Sequence, residues 1–354
     1  MKVRTIFFSW LMLLFGGSSA WADGYVGVQS LDIFSSLRGK NLAVTIWYPS
    51  GKNGQQVQVG NTQIFKGVPA IEKALPIKGS HPLVVLSHGS GSNIQSMAWL
   101  ATSLAKAGFI VAGPNHPRTT TGDSTPEDTP KLWERTHDLS TLISFLTSDD
   151  KWREYVDVNR IGVIGFSLGG AAAMEIAGAR ADLDDYVHYC EKFPTMADCH
   201  WFVSGQAYID GRPVKVDTFD LRLVNRALFE QSNRDARIKS AVLVDPSVAQ
   251  AFNKQSIEGI HIPMTFINLG RPETVPVSVA AKALAKEAPQ GTIVNVNDAV
   301  HFSFLPECQN SAKAFLKKIG EIDPLCEDGG ARTRSDIHAE LKRLIEKALV
   351  QTLQ

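Results

Sequence analysis

The sequence has little of what marks a nucleic-acid-binding protein, a metalloprotein or an integral membrane protein. Lysine plus arginine and aspartate plus glutamate both number 36, so the formal net charge is zero, whereas nucleic-acid-binding proteins usually carry a basic excess. The four cysteines include no C-x-x-C pair of the kind that holds zinc. Beyond the N-terminus, no stretch has the roughly 18 continuous apolar residues of a membrane helix. We therefore expect no nucleic-acid partner, no metal and no other cofactor.

The N-terminus has the pattern of an export signal. Lys2 and Arg4 precede an apolar run over residues 6–15, and Ala20-Trp21-Ala22 matches the small-x-small cleavage pattern. The run is short for a bilayer span, although a retained membrane anchor is the alternative. We expect residues 1–22 to be a signal peptide and residues 23–354 to form one domain, exported to the periplasm or secreted.

Export affects how the cysteines are interpreted, because an oxidising compartment favours disulfides over free thiols. Four cysteines allow three pairings. The local pairing joins Cys190 to Cys199 and Cys308 to Cys326, closes two short loops and is the one we predict. The alternative is four buried thiols.

The middle of the chain alternates between short apolar runs and segments with helical periodicity. This pattern predicts a mostly parallel sheet with helices on both faces. The predicted strands are residues 43–48, 83–86, 109–112, 161–165, 239–244, 264–267 and 292–296, and the predicted helices are 97–107, 131–148, 168–179 and 335–353.

Two segments interrupt this alternation. Residues 51–80 are largely polar and are predicted to be a surface excursion. Residues 181–237 are aromatic and charged, hold the first cysteine pair, and are predicted to be a lid inserted above the sheet. The aromatic side chains of this lid would form either an apolar acyl-binding site or a small satellite core.

The clearest motif is Gly165-Phe166-Ser167-Leu168-Gly169, which matches G-x-S-x-G. A serine between a strand and a helix sits on a tight, strained turn that exposes its hydroxyl at the edge of the sheet. Here an apolar strand ends at the first glycine, and small residues follow that suit a helix pressed against the sheet. The motif predicts Ser167 as a nucleophile. The alternative is an inert serine at an ordinary strand-to-helix turn.

A second glycine-containing segment, Ser87-His88-Gly89-Ser90-Gly91, follows the strand at 83–86. It has neither the G-x-G-x-x-G nor the G-K-S/T pattern of a phosphate-binding loop. In proteins with a G-x-S-x-G turn, this position supplies a backbone N–H to the oxyanion of the tetrahedral intermediate. We assign the two oxyanion donors to the N–H groups of Ser90 and Leu168. His88 would line the pocket or, more simply, shape the loop, and the same holds for His116.

The general base should lie late in the chain, because the order with this motif is serine, acid, histidine. Of the late histidines, His261 enters a predicted strand and His338 lies on the last helix. His301 follows the strand at 292–296 on a loop, which is where a base would face the serine. We therefore predict His301 as the base.

Three carboxylates are candidates for the acid that orients the histidine. Asp245 follows the strand at 239–244, at the carboxyl end where sites form in open α/β sheets. Glu273 follows the next strand, and Asp298 is very near His301 along the chain. We favour Asp245; Glu273 and Asp298 stay open, as does a turn-forming role for Asp245 before Pro246.

Taken in order, these segments resemble the α/β-hydrolase superfamily, in particular the platelet-activating-factor acetylhydrolase group and its dienelactone-hydrolase-like relatives. The resemblance rests on residues 44–50, 86–91 and 165–170, on Asp245 and on Val300-His301-Phe302, and covers roughly residues 25–305. It implies the α/β-hydrolase fold, an acid at Asp245, and oxyanion donors at Ser90 and Leu168. Typical dienelactone hydrolases use a cysteine nucleophile, whereas position 167 is serine, so their lactone specificity is not carried over to this chain.

The function expected from these residues is hydrolysis of small carboxylic esters with short to medium acyl chains through an acyl-enzyme. An amidase or peptidase with the same three residues is the first alternative. A binding protein on a hydrolase scaffold is the second, and it would be expected to lack one of the three. The sequence leaves the natural substrate and the oligomeric state open.

Overall fold

A computed structural model describes residues 24–354, so the predicted signal peptide lies outside the described residues. In this range the chain forms two sheets. Their strands are β1 (Tyr25–Ser35), β2 (Lys40–Ser50), β3 (Gln55–Val59), β4 (Val68–Glu72), β5 (His81–Ser87), β6 (Ile110–Pro114), β7 (Thr119–Thr120), β8 (Asp123–Ser124), β9 (Val156–Phe166), β10 (Gln206–Ile209), β11 (Arg212–Lys215), β12 (Ile238–Val244), β13 (Met264–Leu269) and β14 (Gly291–Val296).

The helices of the described residues mostly follow the strands of the main sheet. They are α1 (Ala98–Lys106), α2 (Leu132–Ser148), α3 (Leu168–Ala177), α4 (Leu183–Lys192), α5 (Ala197–Val203), α6 (Arg226–Phe229), α7 (Lys254–Glu258), α8 (Lys282–Glu287), α9 (Ala312–Ile319) and α10 (Arg334–Leu353). Short 3₁₀ turns occupy Ile94–Met97, Trp152–Glu154, Leu221–Leu223, Val277–Val279 and His301–Phe304.

The main sheet has the strand order β14-β13-β12-β9-β5-β6-β2-β1-β4-β3. The run from β6 to β14 is parallel, and β2 joins it antiparallel. Every residue of β5 is buried, as expected for a central strand covered on both faces. Helices α1 and α10 pack on one face, and α2, α3 and α8 pack on the other. The predicted α/β class, with a mostly parallel sheet covered on both faces, is confirmed.

The excursion predicted at residues 51–80 contains regular structure. Strands β3 and β4 form a hairpin within it, and β4 also pairs with β1, which was not predicted as a strand. Strand β1 pairs along its whole length with β2, and only about half of its residues are buried. The half-exposed pattern of β1 and the polar composition of β3 explain why a search for buried apolar runs did not find them.

The segment 181–237 folds into α4, α5, α6, β10 and β11. Strands β10 and β11 form a small second sheet with β7 and β8 of the 113–130 loop. The aromatic side chains Tyr186, Tyr189, Phe202 and Phe229 are buried, and they belong to the same apolar cluster as α2 and α3. These four rings therefore extend the main core. Whether the segment also acts as a lid stays a prediction.

Both predicted disulfides are present. Cys190 is bonded to Cys199, which ties α4 to α5, and Cys308 is bonded to Cys326 across the α9 region. Within residues 24–354, none of the helices combines the length and the apolar character needed to span a membrane.

One buried carboxyl group lies on α3, the helix that follows the G-x-S-x-G turn. Glu175 has no exposed surface; one of its oxygens accepts a hydrogen bond of 2.7 Å from the Asn233 amide, and the other has no partner among the described residues. Burial raises the pKa of Glu175 to about 8. At neutral pH this side chain is therefore mostly protonated in the folded protein.

Replacing Glu175 by glutamine should make the folded protein less sensitive to alkaline pH. The folded state keeps a proton that the unfolded chain loses above its usual pKa of 4.5, so the free energy of unfolding falls as the pH rises from about 4.5 to 8. We expect Glu175→Gln to match the wild type near pH 4.5 and to be more stable above pH 8, by on the order of a few kcal/mol. Thermal unfolding at a series of pH values measures this, with the exposed Glu273→Gln as control. A stability gain that does not depend on pH would contradict the interpretation.

Candidate active site

Ser167 lies between the end of β9 and the start of α3 in a left-handed backbone conformation, with φ 55° and ψ −120°. A non-glycine residue in such a conformation costs about 1–3 kcal/mol and persists only where its surroundings hold it. Here four backbone hydrogen bonds do so. The Ser167 N–H donates to Val244 at 3.1 Å, and the Ser167 carbonyl accepts from Gly170, Ala171 and Ser247 at 2.8, 3.2 and 3.0 Å.

The two glycines of the motif are required by close contacts. A Cβ atom at Gly165 would lie 2.0 Å from the Gly169 carbonyl oxygen, and one at Gly169 would lie 1.9 Å from the Ser87 carbonyl oxygen. Both contacts are with backbone atoms, which cannot move aside as a flexible side chain can. The requirement for small residues on either side of the serine therefore has a direct cause in the packing of β9, α3 and β5.

The structure brings Ser167, His301 and Asp245 together. The His301 Nε2 atom is 3.1 Å from Ser167 Oγ, and His301 Nδ1 is 2.9 Å from Asp245 Oδ2. Because an ionised carboxylate only accepts hydrogen bonds, Nδ1 carries the proton and Nε2 is free to accept the serine proton. His301 begins the 3₁₀ turn after β14, and the ring of Phe166 stacks on it at 4.7 Å.

The Asp245 carboxylate is fully buried at the carboxyl end of β12. Its Oδ1 atom accepts hydrogen bonds from the Asn268 amide and the Leu269 N–H, both at 2.9 Å. Asn268 is itself fixed, since it donates to the Val279 carbonyl at 2.8 Å and accepts from the Ala281 N–H at 3.0 Å. The carboxylate is thus held with only Oδ2 turned to the histidine.

Asn268 was not among the predicted site residues. The signal that could have found it is a polar side chain near the end of the apolar strand Met264–Leu269. A buried amide in such a strand requires partners, and here its partners include the candidate acid.

The other two candidate acids are placed differently. Glu273 is exposed in the turn after β13. Asp298 is also exposed and faces the Arg271 guanidinium at 3.4 Å. Of the three carboxylates, only Asp245 is hydrogen-bonded to His301.

The loop after β5 lies directly against the candidate nucleophile. A Cβ atom at Gly89 would be 3.3 Å from the Ser167 Cβ atom, which is tighter than ordinary van der Waals contact. Within residues 24–354, the N–H groups of Ser90 and Leu168 have no hydrogen-bond acceptor. These are the two predicted oxyanion donors, and both remain free to bind a ligand oxygen.

The segment 181–237 contributes a partly buried carboxyl group, Asp198, that interacts electrostatically with His301. Tyr189 donates a hydrogen bond of 3.1 Å to Asp198. Burial raises the pKa of Asp198 above its usual value, while the Tyr189 hydrogen bond and the attraction of His301 lower it in part. The indole N–H of Trp201 donates to Thr129 at 2.9 Å and ties the segment to the 113–130 loop.

Among the described residues, no group of three or more histidine, cysteine, aspartate or glutamate side chains is arranged to hold a metal ion.

Comparison with known proteins identifies relatives among hydrolases. The family model described as PET hydrolase-like matches residues 70–190. This range includes the Ser87–Gly91 loop and Ser167 but ends before Asp245 and His301. A bis(hydroxyethyl) terephthalate hydrolase of Streptomyces coelicolor is 32% identical over 105 residues, which are 30% of this chain and 31% of that protein. Cutinase 2 of Thermobifida cellulosilytica is 29% identical over 102 residues, 28% of this chain and 36% of that protein.

The chain thus spans about a third of the length of the curated relatives that it matches. Among solved structures, a ferulic acid esterase from Streptomyces cinnamoneus superposes with a TM-score of 0.61 at 18% identity, covering 93% of this chain and 90% of that one. At this level of identity the likeness shows the fold.

The sheet order, the strained turn at Ser167 and the superposition together define an α/β-hydrolase fold. The chain has this fold, in agreement with the resemblance to α/β-hydrolases found in the sequence.

The geometry around His301 predicts that Asp245, rather than Glu273 or Asp298, determines which ring nitrogen of His301 carries the proton. In Asp245→Asn, the amide can present an N–H to His301 Nδ1 and so favour the wrong tautomer. We expect kcat for p-nitrophenyl acetate to fall by about 10⁴-fold. Glu273→Gln and Asp298→Asn are matched controls that should stay close to the wild type. The assignment is wrong if Glu273→Gln loses as much activity as Asp245→Asn.

Proposed function

We propose that the protein is a serine hydrolase that cleaves carboxylic esters of short to medium acyl chains through an acyl-enzyme. The observation that carries the proposal is the hydrogen-bonded series Ser167–His301–Asp245, with distances of 3.1 and 2.9 Å, beside two free backbone N–H groups. The names of the matched relatives, which include hydrolases and an esterase, support an ester as substrate.

In the proposed first step, Ser167 Oγ attacks the ester carbonyl carbon while its proton moves to His301 Nε2. The carbonyl electron pair moves onto the oxygen, which becomes an oxyanion between the N–H groups of Ser90 and Leu168. Preorganised donors of this kind lower the barrier by on the order of 3 kcal/mol each. Asp245 stabilises the imidazolium. When the carbon–oxygen bond to the leaving group breaks, His301 returns the proton to the departing alcohol.

In the second step, water replaces the alcohol. His301 Nε2 removes a proton from the water as its oxygen attacks the acyl carbon. The new oxyanion occupies the same two N–H groups, and collapse releases the carboxylic acid with the proton returned to Ser167 Oγ. Within the proposed chemistry, the chain's own side chains and backbone supply every group that moves a proton or binds the oxyanion.

The surroundings of the triad support two further parts of the proposal. We infer that residues 181–237 cover one side of the site, since Asp198, which Tyr189 holds by a hydrogen bond, interacts electrostatically with His301. We also infer export to the periplasm or the medium, because two disulfides are typical of an oxidising compartment.

Hydrolysis of p-nitrophenyl acetate by the wild type and by Ser167→Ala tests the proposed function. The substitution removes the nucleophile without disturbing the turn, so kcat should fall by roughly 10⁶-fold. Thermal unfolding should show that the variant is folded. Activity that survives in folded Ser167→Ala would remove this serine from the mechanism.

A substrate series separates the ester hydrolase from the amidase alternative. We expect p-nitrophenyl acetate, butyrate and octanoate to be cleaved and p-nitroacetanilide, the matched amide, to be cleaved far more slowly. The reason is that an amine leaves only if it is protonated at the right moment. Comparable kcat/KM values for p-nitroacetanilide and p-nitrophenyl acetate would favour the amidase.

A further inference from the structure

We propose that His88 is a positioning residue for the oxyanion hole, because its ring fixes the peptide unit that carries the Ser90 N–H. The inference rests on the proposed function, since it concerns a donor to the oxyanion of that reaction. His88 directly follows β5 and is fully buried, whereas Ser90, two residues on, is exposed. The loop therefore runs from the core to the surface within three residues.

The first step in the argument is the hydrogen bond between His88 Nδ1 and the Gly89 carbonyl, at 2.7 Å. The Gly89 carbonyl and the Ser90 N–H belong to the same peptide unit, and the described residues contain no cis peptide bond. In a planar trans peptide the C=O and N–H bonds point in opposite directions. With the carbonyl held by the buried ring, the Ser90 N–H points away from the ring, in a loop that packs against Ser167 at Gly89.

The protonation of the ring follows from its other contact. The backbone N–H of His116 donates to His88 Nε2 at 3.1 Å. A backbone N–H only donates, so Nε2 accepts and is unprotonated, and the single ring proton lies on Nδ1, where it donates to Gly89. Burial, then the charge of Arg135 and the neighbouring His116 lower the pKa of His88 well below its usual value. The neutral tautomer that this bond requires is therefore the stable one.

The peptide unit between His88 and Gly89 is fixed by the side chain of Arg135. The guanidinium of Arg135, which is buried on α2, donates to the His88 carbonyl and also to Thr119 Oγ1 at 2.7 Å. Burial lowers the pKa of Arg135 to about 9, so it remains charged at neutral pH. Both peptide units that flank Gly89 are thus held by a side chain, the first by Arg135 and the second by His88.

Two substitutions separate the two hydrogen bonds of the ring. The side-chain amide nitrogen of asparagine lies where Nδ1 of histidine lies, so His88→Asn keeps a donor for the Gly89 carbonyl. The longer glutamine places its amide near the position of Nε2, so His88→Gln keeps an acceptor for His116 and loses the donor to Gly89. We expect kcat for p-nitrophenyl acetate to fall by about 10- to 100-fold in His88→Gln and by less than about 5-fold in His88→Asn, with KM nearly unchanged in both.

A titration of active sites distinguishes positioning from partial unfolding. Diethyl p-nitrophenyl phosphate phosphorylates an active-site serine and releases one p-nitrophenolate, so the amplitude counts folded sites and the rate reports on the oxyanion hole. In His88→Gln the rate of serine phosphorylation should fall by the same factor as kcat. The amplitude of p-nitrophenolate release should stay equal to that of the wild type. His81→Asn is the control, because His81 is a buried histidine at the other end of β5 that also contacts backbone carbonyls. It should leave the rate per site unchanged.

The inference is overturned if His88→Gln and His88→Asn have the same kcat per titrated site, or if the loss appears in KM alone. Failure of the proposed function would look different, because the wild type itself would then release no p-nitrophenolate from either reagent.

Discussion

The left-handed backbone at Ser167 is the constraint on which the arrangement of the site depends. It turns the chain by the sharp angle that places the hydroxyl above the carboxyl edge of the sheet, and it forces β9, α3 and β5 so close together that residues 165 and 169 must be glycine. The same contacts place the Ser87–Gly91 loop beside the serine. The strain at one residue and the close packing around it therefore position the candidate nucleophile and both candidate oxyanion donors at once.

The imidazole of His301 depends on a second set of constraints, which lies on the neighbouring strands. Asp245, at the end of β12, is held by Asn268 and Leu269 on β13, and His301 follows β14. Three adjacent parallel strands thus contribute the acid, the amide that orients it and the base. Because the carboxyl ends of parallel strands meet at one edge, residues more than 130 positions apart along the chain, such as Ser167 and His301, lie within hydrogen-bond distance.

The sequence predicts the central strands and the candidate triad well because both are encoded locally. An apolar run marks a buried strand, and the residue that follows the run lies at the edge where the site forms, which is how Ser167 and His301 were found and Asp245 favoured. The half-exposed strand β1 and the polar strand β3 carry no such run. Choosing between Asp245 and Glu273 required distances, because both follow a strand and only the fold determines which carboxylate faces the imidazole. Asn268 was missed since its role depends on partners from two other segments, Asp245 after β12 and the turn that holds Val279 and Ala281.

A second array of the same residue types shows that composition alone does not make a catalytic site. Ser87 Oγ lies 3.0 Å from His116 Nε2, and His116 Nδ1 lies 2.9 Å from Asp138, which repeats the connectivity of Ser167, His301 and Asp245. All three side chains of the second array are fully buried, and the Asp138 carboxylate is also bound by Arg38.

The serine of this second array, Ser87, is the last residue of β5 and has no left-handed turn to expose it, within the part of the chain that the structure describes. Its hydroxyl is hydrogen-bonded to the buried side chains of His116 and Arg135. At Ser167, by contrast, the hydroxyl is turned to the edge of the sheet and His301 keeps 23% of its side-chain surface exposed. The strained turn leaves Ser167 partly exposed whereas Ser87 is fully buried, and this difference favours Ser167 as the candidate nucleophile.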